Sequence, residues 1–302
     1  MSTNALQDLA VYLGLDPREL QNVVSRVEHF YREKPIPKAS GGTRVLLIPF
    51  GALRKVQSKI HRRIFSELQF PGYLHGGVRK RSTRTNARDH VGKQVVMVAD
   101  VKNYFPSIDP RRVELVYRRL GFGAEAAKIL TRLTTHRVQL PQGAPTSTAI
   151  ANLVMPRADA RLEGLARQQR FKHTRFVDDI TISGGKRLAK FGRLVSRVIR
   201  EEGFDLKKGD IPEVQPNSGP QAVTGLTVNW KLNVMQAKRE KMLGEAVDAI
   251  KKGKVLSDTT QGRMAYVRHL NPKVGTRISK EAKRLRKNEK SSSRHRDGAS
   301  RN

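Results

Sequence analysis

The apolar positions near the N-terminus follow the spacing of helices. Residues 6–13 predict a first helix, and a second begins at Pro17, where Asp16 can cap its free backbone donors. The second helix has its apolar residues at i, i+3, i+4 and i+7. Residues 35–50, "PIPKASGGTRVLLIPF", predict two short strands joined by a turn, and residues 53–68 predict a basic amphipathic helix. The N-terminal part of the chain therefore combines helices with a strand hairpin.

The middle of the chain predicts a buried strand followed by helices. "VVMVAD", residues 95–100, is an uninterrupted apolar run that ends in an acid, as expected of a strand buried on both faces. Asp109 and Pro110 predict the start of another helix. A long helical pattern covers residues 150–165, and we expect Pro156 to kink it because proline removes a backbone donor.

The C-terminal third predicts a hairpin, an amphipathic helix and a helical lobe. Residues 191–199 form a clear helical stripe, and residues 221–232 predict a further strand pair. Beyond Asn233 the pattern is helical and rich in lysine, and from residue 288 the near absence of apolar residues predicts a disordered basic tail. The irregular order of strands and helices indicates an α+β fold.

The hairpin at residues 175–183, "RFVDDITIS", contains two adjacent acids where strands usually exclude aspartate. Taken alone, Asp178 and Asp179 are more typical of a solvated turn than of a metal site. Asp100, at the end of the buried strand, supplies a third acid, and three neighbouring carboxylates repel one another unless divalent cations lie between them. Mg²⁺ prefers oxygen ligands, and two Mg²⁺ ions held side by side assist phosphoryl transfer. The three acids therefore predict a two-metal site.

Charge is the strongest signal in the composition. The 302 residues contain 59 Lys and Arg against 27 Asp and Glu, a net charge of +32. Such an excess favours a polyanionic partner, and nucleic acid is the natural one. Cysteine is absent, which excludes disulfides and thiolate metal sites and fits a reducing cytoplasm. No apolar run is long enough for a membrane span, so we expect no membrane partner.

Several segments, in chain order, resemble the motifs of reverse transcriptases. "VADVKNYFPSID", "LPQGAPTSTAIANL" and "RFVDDITISG" are similar to the three palm motifs, and "KASGGTRVLLIPFGALRKVQSKI" is similar to a finger segment. "TNARDH" contains Asn-Ala-x-x-His and "AVTGLTVN" contains Val-Thr-Gly, which resemble the signatures of retron reverse transcriptases. "GRMAYVRHLNP" is similar to the thumb segment of that family.

The resemblance implies a right-hand polymerase fold of the α+β class with fingers, palm and a small helical thumb. We expect N-terminal helices and fingers over residues 1–94 and a palm over 95–232. The thumb would cover 233–287, and the basic tail 288–302.

The resemblance also implies the roles of particular residues. Asp100, Asp178 and Asp179 would be the catalytic, metal-binding carboxylates, helped by the backbone carbonyl of Val101, and the metal would be two Mg²⁺ ions, with Mn²⁺ as a substitute. The implied nucleotide-binding residues are Lys38, Arg44, Phe105, Gln142 and Gly143, with Phe105 as a steric gate against ribonucleotides. The implied RNA-binding residues are Asn86, His90, Thr224, Gly225, Tyr266, Arg268 and His269.

Three positions depart from the family pattern. Phe176 stands where the family usually has tyrosine, and Lys207 and Asp210 stand where asparagine and lysine are expected. If the family's lysine assists the leaving pyrophosphate, that role passes to Lys207 or Lys208.

The implied function is that of a retron enzyme, which copies part of its own structured noncoding RNA. Synthesis would start from a guanosine 2′-hydroxyl and use deoxynucleoside triphosphates, and the cDNA product would remain in a branched RNA–DNA hybrid. An effector protein would accompany the enzyme in defence against phage. The alternatives are a group II intron-like reverse transcriptase and a non-catalytic RNA-binding scaffold that restrains a toxic effector. No pattern in the sequence indicates an oligomeric state.

Overall fold

The computed structural model describes residues 3–37, 41–207, 209, 211–251 and 258–272, together with residues 276, 280 and 284. The helices are α1 (Thr3–Leu13), α2 (Pro17–Ser25), α3 (Gly51–Ile60), α4 (Thr83–Arg88), α5 (Tyr104–Ser107), α6 (Pro110–Arg119), α7 (Ala124–Thr134), α8 (Ser147–Leu153), α9 (Pro156–Gln169), α10 (Gly192–Glu201), α11 (Gln236–Lys251) and α12 (Asp258–Leu270). The strands are β1 (Tyr31–Pro37), β2 (Thr43–Pro49), β3 (Val95–Asp100), β4 (Lys172–Phe176), β5 (Asp179–Gly184), β6 (Glu213–Pro216), β7 (Ala222–Val223), β8 (Leu226–Thr227) and β9 (Asn233–Val234).

The chain divides into two compact units. The first comprises Met1–Ser82 and Met97–Val214, and the second comprises Thr83–Val96 and Gln215–Asn302. Both units combine helices and strands, which confirms the predicted α+β class. The predicted lobe boundaries at residues 94, 232 and 287 remain predictions.

The N-terminal elements of the first unit form as their sequence predicts. The Asp16 side chain accepts a hydrogen bond from the backbone N of Glu19 at 2.9 Å, which caps α2. Strands β1 and β2 pair antiparallel, with Tyr31 opposite Pro49, on either side of the predicted turn. Helix α3 continues into one π-helical turn at His61–Phe65, which the apolar spacing does not reveal.

A four-stranded sheet in the order β4-β5-β3-β6 carries the predicted acids. Strand β3 is buried along most of its length, as its apolar run predicts. Strands β4 and β5 form the predicted hairpin and pair antiparallel, from Lys172 opposite Ser183 to Phe176 opposite Asp179. Because β5 and β3 are neighbours, the end of β3 and the tip of the hairpin lie side by side.

The expected kink at Pro156 is wrong in form, because the chain breaks there into two helices. Helix α8 ends at Leu153, and Pro156 is the first residue of α9. Proline is tolerated at that position, where its missing N–H would have no intrahelical partner. The break separates Asn152 from Asp159, and both of these polar residues are buried.

The second unit contains α4, a small sheet in the order β7-β8-β9, and helices α11 and α12. The predicted strand pair at residues 221–232 is extended by β9, which pairs with β8. The helical pattern beyond Asn233 is confirmed by α11 and α12.

Some predictions fall on residues outside the described part of the chain. These are Lys38, Lys208, Asp210 and the basic tail 288–302. Among the helices that the structure describes, none combines the length and the apolar character needed to cross a membrane.

Candidate active site

Two adjacent strands of the first unit present the three predicted carboxylates. Asp100 is the last residue of β3, and Asp179 is the first residue of β5. Asp178 lies in the turn before β5, and its backbone O accepts a hydrogen bond from the backbone N of Val101 at 3.1 Å. The main chain of Val101 therefore links the end of β3 to the hairpin tip.

The hairpin tip has a strained backbone. Val177 lies between the paired residues Phe176 and Asp179 and has a φ of 61°. A β-branched residue rarely adopts this left-handed conformation, because its Cβ crowds the backbone. Such strain persists only where surrounding contacts enforce it, and it is common in functional turns.

The carboxylates influence one another electrostatically. Burial raises the pKa of Asp178, and the charge of Asp100 raises it further, whereas Lys207 and Arg44 lower it. Burial is also the largest cause that raises the pKa of Asp179, and with the charges of Asp178 and Asp100 that pKa reaches about 7. Burial and mutual repulsion therefore both disfavour the charged forms of Asp178 and Asp179, and a bound cation would favour those charged forms.

Among the described residues, Lys207 is a basic side chain that contacts this cluster. Its ammonium group donates to both oxygens of Asp100, at 2.7 and 2.6 Å, and its backbone N donates to the backbone O of Asp100 at 2.9 Å. This contact is compatible with the prediction that Lys207 takes over the role of the family's lysine. Lys207 is 43% exposed, so its ammonium remains accessible from solvent.

The donor chemistry fits divalent metal, because the three side chains supply only carboxylate oxygens, the ligands that Mg²⁺ and Mn²⁺ favour. The positions of these three side chains, by contrast, do not form a complete metal site. Within the described residues, no group of three or more His, Asp or Glu side chains is arranged to hold a metal ion. Asp100 instead directs both oxygens to Lys207.

The predicted nucleotide-binding residues that the structure describes lie on β2, on α5 and in the segment before α8. Phe105 lies on α5, five residues after Asp100, and is half-buried. Its ring packs edge-on against that of Tyr104, with 6.1 Å between the ring centroids. The backbone O of Gln142 accepts from the backbone N of Leu47 on β2 at 2.9 Å. Gly143 has a φ of 120°, a conformation that favours glycine. Arg44 on β2 is exposed and close enough to lower the pKa of Asp178.

The predicted RNA-binding residues form a separate cluster within the second unit. Asn86 Nδ2 donates to Thr224 Oγ1 at 3.4 Å, and Thr224 Oγ1 donates to the backbone O of Thr83 at 3.3 Å. The hydroxyls of Thr83 and Tyr266 are 2.9 Å apart. Arg84 Nη1 donates to Nε2 of His269 at 2.8 Å. Three segments distant in sequence thus meet through polar side chains.

The members of this cluster differ in accessibility. Asn86 and His90 are both 0% exposed, and His90 lies beyond the end of α4 rather than on one helical face with Asn86. Tyr266 is 42% exposed, and Arg268 and His269 are also exposed. The buried Asn86 therefore contacts the Val-Thr-Gly turn through Thr224. Gly225 in that turn has a φ of 78°. RNA contact by these residues remains a prediction.

Sequence reasoning missed one buried charged residue beside the acids. Arg175 precedes the hairpin tip on β4 and is 0% exposed, with an ion pair to the buried Asp159. Their sequence separation is not a helical or strand repeat. Only the high polarity of "KHTRF", which enters the predicted hairpin, could have indicated an internal partner.

Comparisons with known proteins point to one family. The reverse transcriptase (RNA-dependent DNA polymerase) family matches residues 36–209. The retron Mx65 reverse transcriptase of Myxococcus xanthus is 33% identical, over 92% of this chain and 71% of that protein. The retron Ec86 enzyme of Escherichia coli is 28% identical, over 75% of this chain and 72% of its own length.

Further matches cover a smaller share of the matched protein. The retron Se72 reverse transcriptase of Salmonella heidelberg is 29% identical, over 74% of this chain and 62% of that protein. A solved telomerase from Candida albicans, in complex with a fragment of telomeric RNA, aligns with a TM-score of 0.47 and 11% identity over 83% of this chain and 56% of that one, a likeness too slight to carry weight alone. The family match and the retron relatives confirm the α+β polymerase fold, and this chain belongs to the retron reverse transcriptases, which are RNA-directed DNA polymerases.

Proposed function

We propose that this reverse transcriptase copies part of its own structured noncoding RNA, starting from an RNA 2′-hydroxyl. The product would be a branched RNA–DNA hybrid that remains with the enzyme. An effector protein associated with this complex would act in defence against phage. The retron relatives support this proposal, because their resemblance extends over most of the chain and beyond the polymerase motifs.

The observation that carries the proposal is the polar cluster of the second unit. It joins the Asn-Ala-x-x-His segment, the Val-Thr-Gly turn and helix α12 through Asn86, Thr224, Thr83 and Tyr266. The cluster belongs to the second unit, whereas the three acids belong to the first. Exposed Tyr266, Arg268 and His269 offer an aromatic face and polar groups, which suit contact with unpaired bases and phosphates.

At the active site, Asp100, Asp178 and Asp179 would hold two divalent ions, with the backbone carbonyl of Val101 as a further ligand. Mg²⁺ is the expected ion. Ions bound there would activate the attacking hydroxyl and stabilise the departing phosphate oxygen. Asp100 would also orient Lys207 through the hydrogen bonds between them, and the Lys207 ammonium would neutralise charge on the leaving pyrophosphate.

Other side chains of the first unit would select and place the nucleotide. Arg44 would contact the triphosphate, since a guanidinium binds phosphate oxygens in pairs. The Phe105 ring would crowd a 2′-hydroxyl and so favour deoxyribonucleotides. Gln142 would lie near the sugar, and Gly143 would allow close approach of the backbone.

Catalysis can be separated from RNA binding with a double variant, Asp178→Ala with Asp179→Ala. We expect cDNA synthesis to fall by at least a thousandfold while affinity for the cognate RNA stays within about threefold. Asp8→Ala, which changes an exposed aspartate of α1, is the matched control. cDNA synthesis by the double variant would contradict the assignment of the metal site.

The retron activity is tested by the nucleic acid that copurifies with the enzyme. We expect a branched RNA–DNA species, identified by resistance of its branch to RNase and by sequencing across the 2′,5′ linkage. The Asp178→Ala, Asp179→Ala enzyme should copurify with the RNA alone. Recovery of only bulk linear RNA from active enzyme would contradict self-primed synthesis on a dedicated RNA.

A further inference from the structure

We propose that Arg175, paired with Asp159 in the protein interior, is a positioning residue that fixes the hairpin tip bearing Asp178 and Asp179. The inference rests on the proposed metal-binding role of these two acids. It adds a residue that touches neither substrate nor metal but determines where the carboxylates point.

The guanidinium of Arg175 makes contacts in three directions. Nε and Nη2 donate to the two carboxylate oxygens of Asp159 at 2.8 and 2.6 Å. Nη2 also donates to the backbone O of Asn152 at 2.8 Å, and Nη1 donates to the backbone O of Val177 at 2.9 Å. One side chain therefore ties helices α8 and α9 to the strained residue that precedes Asp178.

The contact with Val177 is the one that bears on the active site. Val177 has a φ of 61°, and its carbonyl belongs to the peptide bond shared with Asp178. A hydrogen bond to that carbonyl fixes the orientation of the peptide plane, and hence the direction in which Asp178 leaves the turn. The backbone O of Asp178 in turn accepts from Val101 N, which adjoins Asp100.

A second set of contacts to the turn comes from the segment at residues 73–76. The backbone of Arg175 pairs with the segment at residues 73–75, because Arg175 N donates to Tyr73 O at 2.7 Å and His75 N donates to Arg175 O at 2.8 Å. Gly76 follows, and a Cβ added there would lie 2.5 Å from Val177 Cγ2 and 2.7 Å from Val177 N. The tip is thus held between Gly76 and the Arg175 guanidinium.

Stability alone does not account for this arrangement. Burying an ion pair costs desolvation free energy, and well-packed apolar residues often replace such pairs without loss of stability. Asn152 reinforces the local design, because its Nδ2 donates to Gly76 O at 2.7 Å while its backbone O accepts from Arg175. The ion pair and the glycine segment therefore converge on the same turn.

Lysine could not replace Arg175 in this role. A guanidinium has five donors in a fixed plane and can bind a carboxylate with one edge while it reaches two carbonyls with others. A lysine ammonium would keep the charge next to Asp159 but could not span Asp159, Asn152 and Val177 together. Arg175→Lys therefore separates the ion pair from the positioning of the tip.

The test compares Mn²⁺ binding, measured by calorimetry on nucleic-acid-free protein, with thermal unfolding and cDNA synthesis. The main variant is Arg175→Met with Asp159→Leu, which removes both charges and fills their volume. We expect this variant to fold, with a melting temperature below that of wild type because the backbone carbonyls of Asn152 and Val177 lose this donor. Its Mn²⁺ dissociation constant and the metal concentration for half-maximal cDNA synthesis should both rise at least tenfold. Arg175→Lys should show the same rise.

Two further variants complete the test. Glu163→Gln removes the charge from a contact between α9 and β4, the 3.3 Å pair with His173, without touching the tip, and it should bind Mn²⁺ like wild type. Gly76→Ala leaves the ion pair intact but presses on Val177, and it should weaken Mn²⁺ binding like the Arg175 variants. If the double variant fails to fold, the Mn²⁺ affinity of Gly76→Ala is the deciding measurement.

The proposal is overturned if the folded double variant, or Gly76→Ala in its place, binds Mn²⁺ with wild-type affinity. It is also overturned if Glu163→Gln weakens binding equally, because a general loosening of β4 would then suffice. Failure of the proposed active site has a different signature, since Asp178→Ala with Asp179→Ala would then leave Mn²⁺ binding and cDNA synthesis unchanged. That result would remove the positioning role as well.

Discussion

Replacing Asp179 with asparagine should stabilise the metal-free protein at neutral pH, even though it should destroy activity. Burial and the neighbouring acids raise the pKa of Asp179 from 3.8 to about 7. The carboxyl therefore holds its proton more tightly in the folded state than in the unfolded state. Its contribution to folding stability is complete below pH 4 and is lost as the pH rises through 7. Asparagine has a similar shape and no charge, so its contribution does not change with pH.

The size of the effect follows from the shift. About three pKa units correspond to about 4 kcal/mol at 1.4 kcal/mol per unit. Counter-ions and water reach the partly exposed carboxylate and reduce the expected gain to about 1–3 kcal/mol. For a unit of about 200 residues, each kcal/mol changes the melting temperature by roughly 2–4 °C. Asp179→Asn should therefore melt several degrees above wild type at pH 8 without metal.

The assay is thermal unfolding between pH 4 and 8, on protein freed of nucleic acid and held in a chelator. The two proteins should melt at similar temperatures near pH 4 and diverge as the pH rises. Added Mg²⁺ should raise the melting temperature of wild type more than that of the variant, because a cation offsets the carboxylate charge. Asp8→Asn is the control for loss of an exposed carboxylate. A variant that melts below wild type at pH 8, or a difference independent of pH, would refute the reasoning.

Three further predictions concern other parts of the molecule. Phe105→Ala should raise ribonucleotide incorporation at least tenfold, measured by alkali-sensitive cDNA, and unchanged sugar selectivity would contradict the steric gate. Lys207→Met removes the cation on Asp100, so cDNA synthesis should fall at least tenfold at saturating nucleotide, whereas Lys190→Met, which changes an exposed lysine, should have no effect. Asn86→Ala removes a buried donor to Thr224 and should lower the free energy of unfolding by about 1–3 kcal/mol. It should also weaken binding of the cognate RNA more than binding of unrelated RNA, as measured by filter binding; equal weakening of both would argue against a role for the Val-Thr-Gly turn in recognition.

The acids and the elements that present them could be predicted because local rules determine them. An apolar run that ends in an acid predicts a buried strand with a carboxylate at its exit, as β3 and Asp100 confirm. Asp16 and Asp109 cap helices in the predicted places, because capping depends on contacts within one turn. The hairpin of β4 and β5 likewise forms from adjacent residues.

Features that depend on distant partners could not be predicted. Arg175 lies in a strand pattern, and nothing near it in sequence shows that Asp159 will neutralise it in the interior. Asn86 is buried against Thr224, which is 138 residues away, although its motif suggested an exposed RNA contact. The break at Pro156 was expected only as a kink, because the tolerance of proline at a helix start depends on whether the preceding helix has already ended.

The departure at Phe176 has a limited consequence because the hairpin tip is held by other groups. Phe176 pairs with Asp179 through the backbone register of β4 and β5, and such pairing does not depend on the side chain. In our proposal, the direction of Asp178 depends on hydrogen bonds to the two peptide oxygens that flank it. Arg175 donates to Val177 O, and the backbone N of Val101 donates to Asp178 O. Loss of a tyrosine hydroxyl at residue 176 therefore leaves the carboxylates in place. Any effect of this substitution should appear in the Michaelis constant for nucleotide or primer, while metal affinity stays unchanged.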